Sequence, residues 1–151
     1  MINQKRQLSR LAVYVIFRNE NNEMLFIRRH NTGWRDGEYT LPAGHVDSGE
    51  TALAAAVHES YEEVCLKIRE NNLELVHVVQ FQSAGENDEN YINFYFECKK
   101  YDGIAKIGEP NKADDLVWIP VDKIHEIPVI DAVADALENI CEKQKFSTFG
   151  M

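Results

Sequence analysis

The sequence predicts an α/β fold in which a mixed β-sheet lies between helical layers. Three observations point to it. Short β-branched and aromatic runs occur on both sides of one alanine-rich segment, an amphipathic segment follows near the C-terminus, and no linker, repeat or low-complexity stretch interrupts the pattern. With 151 residues, 44% of them apolar, the expectation is one domain over 1–151 with a core of its own.

Residues 11–17 form a dense apolar run that reads as a buried strand. Asn19, Glu20, Asn21 and Asn22 are turn chemistry before a second strand at 24–27, so these two runs are expected to pair as a hairpin. Residues 31–37 form a loop with two glycines, and 39–41 a short strand stopped by Pro42. A loop with Gly44 and Gly49 leads into a helix at 51–64, free of Gly and Pro, with Thr51 placed to cap its first turn. Longer strands follow at 73–81 and 91–98, joined by an acidic loop. In the second of these both alternating sets are partly apolar, so both faces are expected to be covered. A short strand at 116–119 precedes a helix at 130–141, with Ile130, Val133, Ala134, Leu137 and Ile140 or Cys141 on one face. Residues 143–151 show no strong preference.

Charge is concentrated. The chain holds 16 Lys+Arg and 25 Asp+Glu, a formal net charge of -9. Residues 36–66 contain seven of the acids (Asp36, Glu38, Asp47, Glu50, Glu59, Glu62, Glu63) and no Lys or Arg, which leaves the rest of the chain at only -2. The acidic balance speaks against binding large nucleic acids or docking on an anionic membrane. The longest run without a charged residue, 75–85, is too short for a membrane-spanning helix, and the polar, basic N-terminus does not read as a secretory signal. Cys65, Cys98 and Cys141 are widely spaced and odd in number, which suggests neither zinc nor a disulfide framework. A cytoplasmic setting is the expectation.

On a helical wheel Leu53, Val57, Ser60 and Val64 fall together as the face for the sheet, while Glu59, Glu62 and Glu63 gather on the opposing side. A charge run is ordinarily a solvated face. Solvated faces mix signs, though, and here no base lies within a turn to relieve three carboxylates at i, i+3 and i+4. Hard divalent cations such as Mg²⁺ take clustered carboxylate oxygens, so the pattern suggests a metal site on a rigid helix entered from a glycine loop.

The spacing then becomes specific. Gly44, five residues, Glu50, seven residues, and His58-Glu59-Ser60-Tyr61-Glu62-Glu63-Val64-Cys65-Leu66 resemble the box of the Nudix hydrolase family. That box runs Gly, five residues, Glu, seven residues, Arg-Glu, an aliphatic, any residue, Glu-Glu, any residue, Gly, an aliphatic. The segment 39–46 and the residues Glu109-Pro110-Asn111-Lys112 before Leu116-Val117-Trp118 extend the resemblance to small bacterial Nudix (MutT-like) hydrolases over roughly 8–140. Three positions depart from the pattern: His58 stands for the box arginine, Ser60 for the aliphatic and Cys65 for the glycine. His58 is expected to orient the glutamates more weakly or in a pH-dependent way. Ser60 implies a modest packing loss, and Cys65 questions the left-handed turn after the helix.

The resemblance implies a Nudix-type α/β/α sandwich and metal-dependent hydrolysis of a pyrophosphate bond in a nucleoside triphosphate or related nucleoside-diphosphate derivative. Alternatives are a nucleotide-sugar or dinucleotide pyrophosphatase, or a catalytically weak nucleotide-binding module. It implies Mg²⁺ or Mn²⁺ held by Glu59, Glu62, Glu63 and the Gly44 carbonyl, with Glu50 as a further or supporting ligand. A carboxylate would deprotonate the attacking water, Glu62 or Glu59 first, with Glu86, Asp88 and Glu89 in reserve. Candidate substrate contacts are Arg28, Arg29 and Arg35 for phosphate and Trp34 and Tyr39 for the base, with Phe94 a further stacking candidate. Alternation would put only one of Arg28 and Arg29 on the site. The expected partner is a small nucleotide, and a homodimer would suit the family.

Overall fold

Alternation along the strands decides the architecture. In the computed structural model, which describes residues 5–83 and 89–150, strand β1 (Arg10–Phe17) is apolar on both faces. Val13, Val15 and Phe17 enter one core cluster and Ile16 the other. Strand β2 (Glu23–Arg29) divides the same way, Leu25 and Ile27 against Met24 and Phe26. Such strands need a cover on each side. Helix α1 (Ala52–Val64) provides one through Ala55, Ala56 and Val64, and α2 (Asp131–Cys141) the other through Val133, Ala136 and Leu137. The fold is the α/β/α arrangement that the sequence predicts.

The remaining strands are β3 (Tyr39–Thr40), β4 (Ala43–His45), β5 (Leu73–Gln82), β6 (Asn90–Cys98), β7 (Ala113–Pro120) and β8 (Phe146–Phe149). They build a five-stranded sheet ordered β4-β1-β6-β5-β8 and a three-stranded sheet ordered β3-β2-β7. The larger sheet is mixed: β1 runs parallel to β6 and β5 to β8, while β4 lies antiparallel to β1 and β5 antiparallel to β6. Strand β6 is covered on both faces, Phe96 on the α1 side and Tyr95 on the α2 side. Among the described residues, no helix is long and apolar enough to cross a membrane.

Three expectations need correction. The first two strands do not form a hairpin ladder: beyond the turn they share one bridge, Arg18 to Met24, and enter different sheets. The edge that β1 would have offered to β2 is occupied by β4, paired at Ala12, Val13 and Tyr14, and by Val15 N–H donating to the Pro42 carbonyl (2.9 Å). Pro42 thus sits where the chain crosses from β3 in one sheet to β4 in the other. The tail is not featureless either. Residues 146–149 extend the sheet edge as β8, and buried His77 fastens them through Nδ1 to the Gln144 carbonyl and Nε2 to Ser147 Oγ, both 2.8 Å. On α2 the core face holds Ala136 in place of Ala134, and of the two alternatives at its end Ile140 packs on the core while Cys141 is exposed.

Candidate active site

Small side chains bring the acidic helix close to the sheet. Thr51 Oγ1 accepts the Ala54 N–H (3.1 Å) at the start of α1, and buried alanines at 55 and 56 let its backbone settle against β1 and β4. The buried face therefore centres on Ala55, Ala56 and Ser60, with Leu53 and Val57 only partly buried at its margins. This rotation corrects the wheel reading. Glu59 and Glu63 lie beside the core, half-buried against β4, while Glu62 is exposed. Ser60 is fully buried and its hydroxyl finds no hydrogen-bond partner among the described residues, a cost that the family's aliphatic would avoid.

The helix ends as the family pattern would have it, without the glycine. Cys65 adopts the left-handed conformation (φ 61°, ψ 24°), its N–H donating to the Tyr61 carbonyl (3.0 Å), and Leu66 N–H reaches the Ser60 carbonyl (3.4 Å). A residue with a Cβ is strained there, by about 1–2 kcal/mol. Glycine loses some of that gain to unfolded-chain entropy, so Cys65→Gly is expected to raise stability by about 1 kcal/mol or less and Tm by roughly 2–4 °C. A thermal melt of the two proteins checks it. A fall in Tm would show that the thiol side chain contributes more than the strain costs.

Beneath Glu59 lies Gly44. A Cβ at position 44 would overlap the Glu59 carboxylate, so the close approach of loop and carboxylate depends on glycine. Ala43 N–H donates to Glu63 Oε1 (3.0 Å). His58 bridges its two neighbours, Nδ1 to Glu50 Oε2 at 2.7 Å and Nε2 to Glu59 Oε1 at 3.2 Å, which is the orienting task that an arginine would perform. Donor atoms of His58, Glu59 and Glu62 lie within 4.8 Å of one another. Burial, reinforced by the Glu62 charge, raises the Glu59 pKa above the usual carboxylate range, with His58 opposing. Burial raises Glu63 well above that range, with the Ala43 N–H opposing and Glu59 and Glu109 adding to the rise. Both His58 nitrogens are engaged, so the free donors are carboxylate oxygens. An oxygen-only set with mutually repelling charges fits a hard divalent cation such as Mg²⁺ or Mn²⁺.

Gly44, Glu59 and Glu63 form one wall of a cleft of about 1100 Å³, whose lining does not include Glu50, His58 or Glu62. Gly44, Glu59, Glu63 and Glu109 line it on the acidic side, and Arg29, Lys112 and Trp34 also face it. The Arg29 guanidinium lies 4.9 Å from the centroid of the half-exposed Trp34 ring, its Nε donating to the Trp34 carbonyl (2.7 Å) and Nη2 to Thr32 Oγ1 (2.9 Å). The loop that carries Trp34 is braced by Asp36, whose carboxylate accepts the Thr32 hydroxyl and the Thr32 and Gly33 N–H groups.

Other candidates face elsewhere. Alternation at the end of β2 turns Arg28 away from Arg29: it pairs with Asp114 (2.7 Å) and lies over the Tyr39 ring. Tyr39 is buried in the α2-side core, its hydroxyl donating to Asp115. Arg35 pairs with Glu38 (3.6 Å) and Asp131 (3.4 Å) outside the cleft lining, and Phe94 packs on the α1-side core. Glu50 reaches the site through His58. Glu89 lines the cleft, while Glu86 and Asp88 lie outside the described residues. Lys112, Tyr14 and Asn93 join the cleft without having been singled out as site residues. Lys112 lay inside a family-like segment, whereas a lone Asn in a strand carries no signal in sequence.

With this geometry the comparisons agree. A family model described as NUDIX domain matches residues 8–139. The chain belongs to the Nudix family. It is 30% identical over 111 residues to 8-oxo-dGDP phosphatase NUDT18 of Mus musculus and 29% identical to its Homo sapiens counterpart. Each alignment covers 72% of this chain but only 32% of the relative, so the Nudix chain matches about a third of those proteins' length. Among solved structures, a MutT NUDIX hydrolase from Burkholderia pseudomallei superposes with a TM-score of 0.77 at 23% identity, covering 87% of this chain and 98% of that one. The NUDIX domain of Shewanella oneidensis NrtR, complexed with ADP ribose, does so with a TM-score of 0.72 at 15% identity, covering 93% and 94%. At these identities the structures show the fold.

Proposed function

We propose that this Nudix hydrolase cleaves a nucleoside triphosphate or a related nucleoside-diphosphate derivative in a cation-dependent reaction. One observation carries the reading: a single cleft sets Gly44, Glu59 and Glu63 on one wall with Arg29 and Lys112 also facing it. Glu59, Glu62, Glu63 and the Gly44 carbonyl, supported by Glu50, would hold Mg²⁺ or Mn²⁺. Such a cation, when bound, neutralises phosphate oxygens and lowers the pKa of the attacking water.

The chain's own groups do the rest. Glu62 or Glu59 takes the proton of the water whose oxygen bonds to phosphorus, while the bridging P–O bond breaks and its electron pair leaves with the departing phosphate. Arg29 and Lys112 hold phosphate oxygens, and Trp34 steadies Arg29 from the mouth of the cleft. His58 holds Glu50 and Glu59 in register. The local acidity that excludes a polyanionic strand admits a short polyphosphate once cations balance it.

A cleft of this volume would also take a nucleoside diphosphate joined to a second sugar, so the test spans both. The panel is the nucleoside triphosphates, 8-oxo-dGDP, ADP-ribose and dinucleoside polyphosphates, assayed with Mg²⁺ and again after EDTA. Turnover of at least one member is expected, lost with EDTA and restored by excess Mg²⁺. Binding without turnover of any member would make the chain a nucleotide-binding module.

A further inference from the structure

The loop between β2 and β3 is tied around the side chain of Arg29. A guanidinium carries five N–H donors in a rigid fork. Two of them are spent inside the protein, Nε–H on the Trp34 carbonyl (2.7 Å) and one Nη2–H on Thr32 Oγ1 (2.9 Å). Both lie on one edge of the fork, so the other edge, Nη1 with the second Nη2 hydrogen, keeps its donors. No carboxylate pairs with Arg29 among the described residues, whereas Arg28 and Arg35 are both paired. Arg29 and Thr32 line the cleft together. A guanidinium gripped along one edge and left unneutralised has its second edge available for two oxygens of a phosphate.

Thr32 is suited to that grip. A hydroxyl has one donor and two acceptor positions, and all three are used here. Its hydrogen goes to Asp36 Oδ1 at 2.6 Å, the length of a hydroxyl bonded to a carboxylate. Its oxygen accepts Arg29 Nη2 and, at 3.2 Å, the Trp34 N–H. Asp36 is fixed in turn by the N–H groups of Thr32 (3.1 Å) and Gly33 (2.9 Å). The Thr32 hydroxyl, and after it the Gly33 N–H, holds the Asp36 carboxyl below its usual range. Polarised by that carboxylate, Thr32 Oγ1 accepts the guanidinium more strongly than a lone hydroxyl would. The backbone is strained around these contacts, since Asn31 (φ 57°) and Arg35 (φ 53°) are left-handed without being glycine. Strain of this kind persists only where neighbouring contacts over-determine the conformation, and the run from Asp36 through Thr32 to Arg29 supplies them.

We infer that Thr32, braced by Asp36, is a positioning residue that locks the Arg29 guanidinium with its outer edge free for a substrate phosphate. The inference rests on the nucleotide reading of the cleft and adds how its phosphate contact is aimed.

Isothermal titration of the full chain with inorganic pyrophosphate at fixed Mg²⁺ reads this contact without turnover, and thermal melts establish that each variant is folded. Arg29→Lys keeps the charge and removes the fork, and is expected to weaken binding about tenfold or more. Thr32→Val keeps the shape and loses the hydroxyl, and should weaken binding about tenfold. Thr32→Ser restores the hydroxyl and should stay within about threefold of wild type. In an Arg29→Lys background, Thr32→Val should change the affinity by less than about twofold, because no fork remains to be aimed. A merely structural role would weaken both backgrounds alike, so equal losses overturn the inference. Wild-type affinity in Thr32→Val, or in Thr32→Ala should the valine protein not fold, also overturns it; a weakened Arg29→Lys would then leave Arg29 as a phosphate contact aimed by other means. Unchanged affinity in Arg29→Lys removes Arg29 from the phosphate contacts and the inference with it. If the wild-type protein does not bind pyrophosphate, this assignment falls, and the nucleotide panel separately decides the reading of the cleft.

Discussion

Glu59→Gln is expected to lower turnover by about 10²- to 10³-fold, comparable to removing one preorganised electrostatic contact to the transition state. The substitution keeps shape and removes charge. Glu59 sits over Gly44, within reach of the Glu62 and His58 donor atoms, so the lost charge comes from the centre of the cluster. Stability should move the other way or not at all. The raised pKa values of Glu59 and Glu63 mean that the folded state holds those protons more tightly than the unfolded chain. In the cation-free protein, the stabilisation from their protonation is therefore fully present below the unfolded carboxylate pKa and is lost as pH rises through the folded values. The neutral amide of Glu59→Gln mimics the protonated acid, so the variant should melt no lower than wild type near neutral pH. Steady-state kinetics and a thermal melt on the same preparations check both halves. Lost activity with a collapsed Tm would make Glu59 a structural group instead.

His58→Ala is expected to cost about 10–100-fold in activity or cation affinity, the usual effect of removing a residue that orients ligands. Both imidazole nitrogens are committed, at 2.7 Å to Glu50 and 3.2 Å to Glu59, and nothing else among the described residues bridges that pair. His58→Arg should preserve most of the function, because a guanidinium can span the same two carboxylates and keeps its charge at every working pH. The pH dependence separates the two. Burial lowers the His58 pKa, but the Glu50 and Glu59 charges outweigh it and the net shift is upward. The stabilisation from its imidazolium is thus complete below the unfolded value near 6.5 and fades as pH rises through the folded value. The Tm advantage of His58→Arg over wild type should accordingly grow above neutrality. A constant difference across that range would mean that His58 bridges the carboxylates as the neutral ring.

Much of the site was legible because it is local. Gly44, Glu50, Glu59, Glu62 and Glu63 lie within one loop and one helix, so their spacing along the chain is nearly their spacing in space. The helical layers were legible too, since α1 and α2 carry their apolar positions at helical period. Legibility failed wherever partners come from afar. Nothing near 11–27 reveals that β4 will take the edge of β1, so a turn between two strands read as a hairpin. Residues 146–149 become a strand because the edge of β5, almost seventy positions earlier, is there to pair with them. Arg28 and Arg29 are equivalent as letters. Their pairing with Asp114 and with the Trp34 loop, settled by the face each takes on β2, separates them.

Glu59, Glu62 and Glu63, in the acidic window 36–66 that carries most of the chain's net charge, are proposed to hold a divalent cation. Mn²⁺ binding followed by electron paramagnetic resonance, without nucleotide, tests it most directly. Wild-type protein should bind Mn²⁺ in competition with Mg²⁺, and Glu59→Gln and Glu62→Gln should each weaken that binding by at least about tenfold. Equal Mn²⁺ affinity in all three proteins would contradict the account.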